Sequence, residues 1–283
     1  MPLRFPIFVL MVPARMIRFR SKSAQIPAHN VLICGASGEL GAALARHYAA
    51  RGGALMLWGR DGQRLEAAAQ ACRNAGARSV STRQIDLTET DAAIAALATD
   101  DDAACFDLAI FAAGLGDIRT PGDLAEDPHM VARLGQVNFV APAALASQLA
   151  GRMAARQRGG IVLIGSAAAF HALPFAAAYA GSKAGLARFA GALAIAMRPH
   201  GVRVTLASPG FIDTAAARRV PGPKPMAMSA DRAAARIARA ATHGTAHAVM
   251  PWPFALLRLI DRALPAFLRN RLLLSLTPPP EGR

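Results

Sequence analysis

The sequence has few cysteines, few aromatic residues and no uninterrupted apolar segment long enough to cross a membrane. Its three cysteines among 283 residues, Cys34, Cys72 and Cys105, lie far apart and form no C-x-x-C pair. This spacing argues against a disulfide framework and a zinc site, so we expect no metal and a reducing, cytoplasmic location. Aromatic residues make up 6% of the chain, whereas hydrophobic residues, many of them alanine, make up 53%. Such a composition indicates helices packed closely on a sheet.

Acidic residues are scarce at both ends of the chain, and the net charge of +14 is concentrated there. Residues 1–30 carry five basic and no acidic side chains, residues 31–197 carry fourteen of each, and residues 198–283 carry thirteen basic and four acidic. No nucleic-acid motif accompanies the arginines, so we expect no nucleic-acid partner. Ends that are both basic and apolar favour peripheral contact with an anionic membrane surface.

Composition divides the chain into a basic flexible N-terminal extension (1–30), a central domain (31–250) and a basic amphipathic C-terminal tail (251–283). The extension is interpreted as a flexible tail, or as residues that precede the true start of translation. The alternative is an Arg-rich transit peptide. In the tail, arginines beginning at Arg258 share one helical face, and Pro265 should kink or split the helix. This tail lies on a membrane surface, or it packs on the core or on a second subunit.

A glycine-rich turn follows the first apolar strand. Val31–Cys34 predicts a buried strand, Gly35, Gly38 and Gly41 follow it, and Ala42–Arg51 predicts a helix. Glycines allow the backbone to approach a pyrophosphate, and the N-terminus of a helix offers it free N–H groups. We therefore expect a nucleotide here; the alternative is a tight turn without a ligand.

The residue after the second strand bears on the choice of nucleotide. Ala54–Trp58 predicts that strand, and Gly59 and Arg60 follow it. In dinucleotide-binding folds an acidic residue here binds the ribose 2′-hydroxyl, whereas a basic residue accommodates a 2′-phosphate. Arg60 therefore favours NADP(H), with NAD(H) as the alternative if Arg60 is only a solvated loop residue.

Strands and helices alternate along the rest of the central domain. Further strands are predicted at residues 79–85, 106–111, 160–165, 202–207 and 246–250. Helices are predicted between them at residues 92–97, at 129–155, from Tyr179 onward and at 229–241. This alternation predicts an α/β fold, a single Rossmann-type doubly wound parallel sheet flanked by helices, followed by the amphipathic helical tail.

One stretch carries the residue types of acid–base chemistry. Ser166 ends the predicted fifth strand, Tyr179 follows thirteen residues later, and Lys183 lies four residues beyond Tyr179. In a helix Tyr179 and Lys183 share a face, and a lysine ammonium beside a phenol lowers the pKa of that phenol. Tyr179 is therefore a candidate general acid or base. The alternative is a buried tyrosine and a surface lysine that happen to have this spacing.

Taken in order, these motifs resemble those of the short-chain dehydrogenase/reductase family. Residues 34–41 (CGASGELG) are similar to the family's T-G-x-x-x-G-x-G, and residues 111–114 (FAAG) are similar to N-N-A-G. Further matches are Asp86, Asn138, Ser166, Tyr179 with Lys183, and Pro209-Gly210 with Thr214. The resemblance extends from Val31 to Met250 and implies a Rossmann-type catalytic domain.

The resemblance implies an NADP(H)-dependent oxidoreductase that reduces a carbonyl to an alcohol, or the reverse. Ser166 would hold the substrate oxygen, and Tyr179 would transfer the proton. Lys183 would lower the pKa of Tyr179 and bind the nicotinamide ribose, and Asn138 would hold a water that relays protons. The implied cofactor-binding residues are Gly35, Ser37, Gly38, Leu40, Gly41, Arg60, Asp86, Leu87, Ala113, Gly114, Tyr179, Lys183, Pro209, Gly210, Ile212 and Thr214.

Two departures from the family pattern bear on the cofactor. Glu39 stands at the middle glycine of the first motif, where a carboxylate near the pyrophosphate would weaken binding unless it points to solvent. Phe111 and Ala112 replace the two asparagines of N-N-A-G, so the side-chain bonds that usually brace this strand are missing.

The motifs do not identify the substrate. His171, Phe175 and the loop with Met226 and Met228 are expected to line a partly apolar pocket, and with the tail they suggest a lipid-like carbonyl or alcohol. The family also implies a homodimer or homotetramer. One alternative is a catalytically silent NADP-binding regulator or scaffold at a membrane surface, although such proteins usually lack the tyrosine or the lysine. The other is a nucleotide-sugar epimerase or dehydratase, which normally has a longer C-terminal domain.

Overall fold

The computed structural model describes residues 29–116, 118–119, 123–220 and 222–275. The N-terminal extension predicted at residues 1–30 lies outside the described residues except for its last two, and so does the end of the tail from residue 276. Within the described part, strands and helices alternate from Asn30 to Ser275.

Seven parallel strands form the central sheet of the described residues, and two short strands pair separately. In chain order the strands are β1 (Asn30–Cys34), β2 (Ala54–Gly59), β3 (Ser79–Gln84), β4 (Leu108–Phe111), β5 (Gly159–Ile164), β6 (Val202–Pro209), β7 (Ile212–Asp213), β8 (Met228–Ser229) and β9 (His247–Met250). The sheet order is β3-β2-β1-β4-β5-β6-β9, and β7 pairs with β8. The predicted doubly wound parallel sheet is therefore confirmed, with its switch point between β1 and β4.

Helices cover both faces of this sheet. In chain order they are α1 (Glu39–Ala49), α2 (Gly62–Asn74), α3 (Thr90–Ala104), α4 (Pro128–Gly135), α5 (Ala141–Ala155), α6 (Ala177–Met197), α7 (Ala215–Arg219), α8 (Ala230–Thr242), α9 (Pro253–Ala263) and α10 (Ala266–Ser275). One buried cluster joins α1, α2 and α8 to one face, and a second joins α3, α5 and α6 to the other. The many alanines of these helices let them approach the sheet closely, as the composition predicted.

The polarity of each strand agrees with its position in the sheet. Every residue of β4 (LAIF) and β5 (GGIVLI) is buried, and both strands lie at the centre. The polar strand β3 (SVSTRQ) exposes four of its six residues and forms an edge. A polar strand covered on both faces would bury side chains without partners, so the edge is its favourable place. Arg83 of β3 donates from Nε to Oδ2 of Asp100 in α3 at 2.8 Å.

Two helical predictions gain detail in the structure. The long helix predicted at residues 129–155 consists of α4, a wider π turn at Gln136–Val140, and α5. Asn138 lies within the π turn, a local irregularity that is frequent at functional sites. The predicted break of the tail at Pro265 separates α9 from α10. Among the described helices, none combines the length and hydrophobicity needed to cross a bilayer.

Candidate active site

The glycine turn after β1 forms the floor of a cleft at the carboxyl ends of β1, β2 and β4. A Cβ atom at Gly35, where φ is +93°, would overlap the backbone of Ala113, and one at Gly41 would overlap the carbonyl of Gly35. Only glycine therefore allows β1, α1 and the end of β4 to approach this closely. The cleft has a volume of about 270 Å³. A backbone cradle at the N-terminus of α1 is suited to a dinucleotide phosphate, so the residues present fit the expected cofactor.

Half of the predicted cofactor residues line this cleft, and the sequence analysis missed several others. The predicted residues that line it are Gly35, Ser37, Gly38, Arg60, Asp86, Leu87, Ala113 and Gly114. The remaining lining residues are Cys34, Gly59, Asp61, Arg64, Ile85, Ala112, Leu115 and Val137. Arg64 could have been found from its position one helical turn after Arg60. The others of the predicted set, among them Leu40, Ile212 and Thr214, lie outside the lining of this cleft.

Two arginines, Arg60 and Arg64, line the end of the cleft next to β2, together with one carboxylate, Asp61, that is already hydrogen-bonded. Asp61 accepts a hydrogen bond from the Arg64 N–H at 3.0 Å and caps the N-terminus of α2. Across the cleft, Asp86 accepts from the N–H and the hydroxyl of Thr88 at 3.0 and 2.9 Å. The Thr88 backbone N–H is the main cause that lowers the pKa of Asp86, so this carboxyl is ionised at neutral pH.

Glu39, the departure in the glycine motif, bonds to a segment far along the chain. One of its carboxylate oxygens accepts a hydrogen bond from the Ala215 N–H at 2.6 Å. Ala215 begins α7, directly after Thr214, whose hydroxyl accepts from the Ala217 N–H at 3.1 Å. The carboxylate thus ties the turn of α1 to the start of α7.

Asn138 braces the segment that follows β4. Its side chain accepts from the Leu115 N–H at 2.8 Å and donates to the Leu115 carbonyl at 2.9 Å. Its amide also donates to the Ser182 hydroxyl at 3.2 Å, and Ser182 donates to the Tyr179 carbonyl at 2.8 Å. These bonds brace the chain just beyond Phe111 and Ala112, where the asparagines of the family motif are missing.

Ser166, Tyr179 and Lys183 lie together beside this network. Ser166 follows β5, and its hydroxyl accepts from the Ala168 N–H at 3.1 Å, which caps a short 3₁₀ turn, Ala167–Phe170. Tyr179, in the first turn of α6, forms a side-chain hydrogen bond with Ser166. Lys183, one helical turn later, is 4% exposed and donates to the Ile164 carbonyl at 3.0 Å. A Cβ atom at Gly114 would lie 3.2 Å from Oδ1 of Asn138 and 3.3 Å from Nζ of Lys183, so these two side chains meet at Gly114, while Tyr179 and Ser166 are joined by their hydrogen bond.

The electrostatics of this pair differ from the expectation. Burial raises the pKa of Tyr179, and its hydrogen bond with Ser166 only partly opposes this. Burial also lowers the pKa of Lys183 to about 8. The lowered tyrosine pKa expected from the sequence is therefore wrong for the protein without ligand, because the loss of water around both groups disfavours phenolate and ammonium alike.

The predicted substrate residues fall into two groups. His171 and Phe175 are half-buried in the segment between Ser166 and α6, and the Phe175 carbonyl accepts from the Arg119 N–H at 2.8 Å. Met226 is exposed, but Met228 is 4% exposed and packs in the core under α8. The expectation that Met228 lines the pocket is wrong, because its place in β8 turns it inward. Among the described residues, no cluster of histidine, cysteine or acidic side chains is arranged to hold a metal.

The loop after β6 is covered by a residue that the sequence analysis missed. Gly210 donates to the Met250 carbonyl at 2.8 Å. A Cβ atom at Gly210 would overlap the ring of Phe254, the second residue of α9. Phe254 is 8% exposed and lies 6.3 Å from the ring of Phe211, centroid to centroid. The motif Pro209-Gly210 thus packs directly against the tail.

Comparison with known proteins gives one family. The model of the short chain dehydrogenase family matches residues 29–223. An uncharacterized oxidoreductase of Mycobacterium tuberculosis is 34% identical over 249 residues, which cover 86% of this chain and 96% of that protein. A short-chain dehydrogenase from Sphingobium yanoikuyae in complex with NADPH has a TM-score of 0.73 and 27% identity, with 87% of this chain and 95% of that chain covered.

A metagenomic short-chain oxidoreductase in complex with NADP has a TM-score of 0.66 and 30% identity, over 76% of this chain and 91% of that one. The family match and the relatives agree. The chain belongs to the short-chain dehydrogenase/reductase family of oxidoreductases.

Proposed function

We propose that the protein is an NADP(H)-dependent oxidoreductase that reduces a carbonyl to an alcohol, or the reverse, with Tyr179 as general acid or base. The observation that carries this proposal is that Asn138 and Lys183 approach Gly114 in the lining of the cleft, while Tyr179, one helical turn before Lys183, is hydrogen-bonded to Ser166. A nicotinamide cofactor, when bound there, supplies or accepts the hydride. We assign the catalytic domain to residues 31–250, between the extension (1–30) and the tail (251–283).

Each of the four side chains has one task in this proposal. The Ser166 hydroxyl holds the carbonyl oxygen and stabilises the charge that develops on it. Tyr179 is protonated at neutral pH because burial raises its pKa, so it is ready to donate a proton during reduction. Below about pH 8 Lys183 carries a positive charge, one helical turn from the Tyr179 phenol and beside the expected position of the nicotinamide ribose. Asn138 holds the backbone of Leu115 and so fixes that wall of the cleft.

Replacement of Tyr179 by phenylalanine tests this assignment. We expect turnover of a panel of aldehydes and ketones to fall by about three orders of magnitude, the contribution of a general acid, while NADPH still binds. Tyr48→Phe is the matched control, because Tyr48 is buried in α1 and its hydroxyl has no hydrogen-bond partner among the residues that the structure describes. Equal turnover of Tyr179→Phe and wild type would exclude Tyr179 as the proton donor.

The preference for NADP(H) is proposed from the charges at the end of β2. Arg60 and Arg64 line the cleft, and Asp61 is engaged in capping α2, so a 2′-phosphate would meet two cations. The NADPH and NADP complexes of two similar structures support this choice. Parallel titration with NADPH and NADH should give tighter NADPH binding, and Arg60→Ala should weaken NADPH about tenfold while leaving NADH unchanged. Equal affinity of the wild type for both cofactors would refute the preference and leave NAD(H) as the alternative.

The substrate is proposed to be a small carbonyl or alcohol of apolar, lipid-like character. His171 and Phe175 are half-buried in the segment between Ser166 and α6, and Phe211, in the loop after β6, forms an aromatic pair with Phe254 of α9. An aromatic surface of this kind favours apolar ligands.

We also propose that the protein is a cytoplasmic homodimer or homotetramer, as is usual for the family. Light scattering at micromolar protein concentration tests the oligomeric state.

Peripheral contact with a membrane is proposed from the exposed face of α9 and α10. Large apolar side chains are solvent-exposed there: Trp252, Leu256, Leu257, Phe267, Leu268, Leu272 and Leu274. Residues 251–283 also carry five arginines and two acidic residues, which favours anionic lipid. Flotation with anionic liposomes should recover the full chain, whereas Phe267→Ser combined with Leu272→Ser should not float. Equal flotation of both would remove these helices from the proposal.

A further inference from the structure

Helix α9 returns to the active site through an arginine. Arg258 places its guanidinium carbon 5.2 Å from the centroid of the Phe170 ring, within the range of a cation–π interaction. One turn earlier along the chain, Phe254 of the same helix is buried against Gly210. Helix α9 is therefore anchored to the loop after β6, and from that anchor it extends Arg258 toward the segment after β5.

The Phe170 ring also contacts the ring of His247. The two ring centroids are 5.9 Å apart in an edge-to-face arrangement. His247 of β9 shares a hydrogen bond of 2.9 Å between its Nε2 and the hydroxyl of Ser208, which is fully buried in β6. Burial and, after it, the nearby Arg258 charge lower the pKa of His247, so this ring is neutral at neutral pH. Arg258, Phe170 and His247 therefore form one group of contacting side chains, called the Phe170 cluster below.

The Phe170 cluster lies at the end of the short turn that Ser166 caps. Phe170 is the last residue of the 3₁₀ turn Ala167–Phe170, and the Ser166 hydroxyl caps the same turn through the Ala168 N–H. A turn this short has few internal hydrogen bonds, so its orientation depends on what holds its far end. Gly165, just before the turn, lies close to β6: its N–H donates to the Ala207 carbonyl at 2.8 Å, and a Cβ atom there would lie 2.9 Å from the Ser208 hydroxyl.

We propose that Arg258 is a positioning residue for Ser166, and that the tail is in this way a working part of the active site. The Arg258 guanidinium clamps the Phe170 ring against His247, which fixes the 3₁₀ turn and with it the direction of the Ser166 hydroxyl. The inference rests on the proposed role of Ser166 in holding the carbonyl oxygen. Arg258 lies beyond residue 223, where the family match ends, so the clamp belongs to the part of the chain that the family model does not cover.

Kinetics of three variants test the clamp. With decanal, benzaldehyde and 2-decanone as probes, Arg258→Ala should lower kcat about fivefold, because Ser166 acts mainly on the transition state. NADPH affinity, measured by titration, should not change. Arg258→Lys keeps a cation over the ring and should recover most of the loss. Arg239→Ala, at an exposed position of α8, is the control and should match the wild type. An Arg258→Ala enzyme with wild-type kcat on all probes would overturn the inference.

Hydrogen exchange separates the clamp from the proposed reaction. In Arg258→Ala the peptide that covers residues 165–171 should exchange faster than in wild type, and it should return to the wild-type rate in Arg258→Lys. Faster exchange confined to α9 and α10 would contradict the clamp, even if activity fell. If the wild type reduced none of the probes, the proposed function would fail, and the exchange of residues 165–171 would still decide whether Arg258 holds the turn.

Discussion

Lys183 should lower the stability of the fold while it serves the reaction. It is 4% exposed, and its ammonium donates to the Ile164 carbonyl at 3.0 Å. Burial lowers its pKa from 10.5 to about 8. At about 1.4 kcal/mol per pKa unit, this difference corresponds to about 3 kcal/mol of unfavourable free energy at pH 7. Replacement by methionine, which has a similar length and no charge, should remove that cost.

The sign of the pH dependence follows from which state binds the proton more tightly. The unfolded chain holds the Lys183 proton up to about pH 10.5, whereas the folded chain loses it near pH 8. The cost is therefore fully present below pH 8 and fades as the pH rises toward 10.5. Loss of the bond to the Ile164 carbonyl costs about 1 kcal/mol, so Lys183→Met should be about 2 kcal/mol more stable than wild type at pH 7. At pH 10 the advantage should be gone.

Urea unfolding without cofactor, followed by circular dichroism at pH 7, 8.5 and 10, measures this difference directly. Other groups titrate in both proteins, so their contributions cancel in the comparison. Lys224→Met is the matched control, since Lys224 is half-buried and donates to the Val220 carbonyl at 2.7 Å. A difference for Lys183→Met that stays constant with pH, or a loss of stability at pH 7, would refute the reasoning.

Three further replacements test other parts of the site and core. Asn138→Ala leaves the N–H and carbonyl of Leu115 without the Asn138 side chain, so the free energy of unfolding should fall by about 3 kcal/mol and NADPH should bind more weakly. Unchanged values in urea unfolding and in NADPH titration would contradict the role of Asn138 in holding Leu115. Glu39→Gln keeps an acceptor for the Ala215 N–H but removes a charge near the pyrophosphate, so NADPH should bind about threefold tighter in titration, and weaker binding would contradict this. Asp101→Asn disrupts a fully buried carboxylate bonded to Arg152 and Arg156, so it should cost about 3 kcal/mol in urea unfolding; a loss below about 1 kcal/mol would contradict it.

The cofactor half of the site could be predicted because local sequence determines it. The strand at Val31–Cys34, the glycines after it and the helix beyond them are contiguous, and close backbone approach admits few residue types. The same holds for Tyr179 and Lys183, whose spacing of four residues places them on one helical face. The doubly wound parallel sheet followed from the alternation of strands and helices, which allows few topologies.

The remaining features depend on contacts between distant parts of the chain. The acceptor role of Glu39 requires the N–H of Ala215, 176 residues away. Met228 looked like a pocket residue because its loop is apolar, but pairing of β8 with β7 turns it into the core. The raised pKa of Tyr179 comes from the burial of its own phenol, and the spacing of residues carries no information about water.

The two halves of the site are made of different kinds of residue, and this difference bears on the substrate. The proposed cofactor half combines a floor of glycine and alanine with the charged side chains of Arg60, Arg64 and Asp86, which suit a charged ligand of constant shape. The proposed substrate half is aromatic, with Phe170, Phe175, Phe211 and Phe254, and three of these rings contact α9 or belong to it. Because α9 follows residue 223, the proposed substrate half depends on a segment outside the family match. The search for the substrate should therefore begin with apolar carbonyls and with variants of α9.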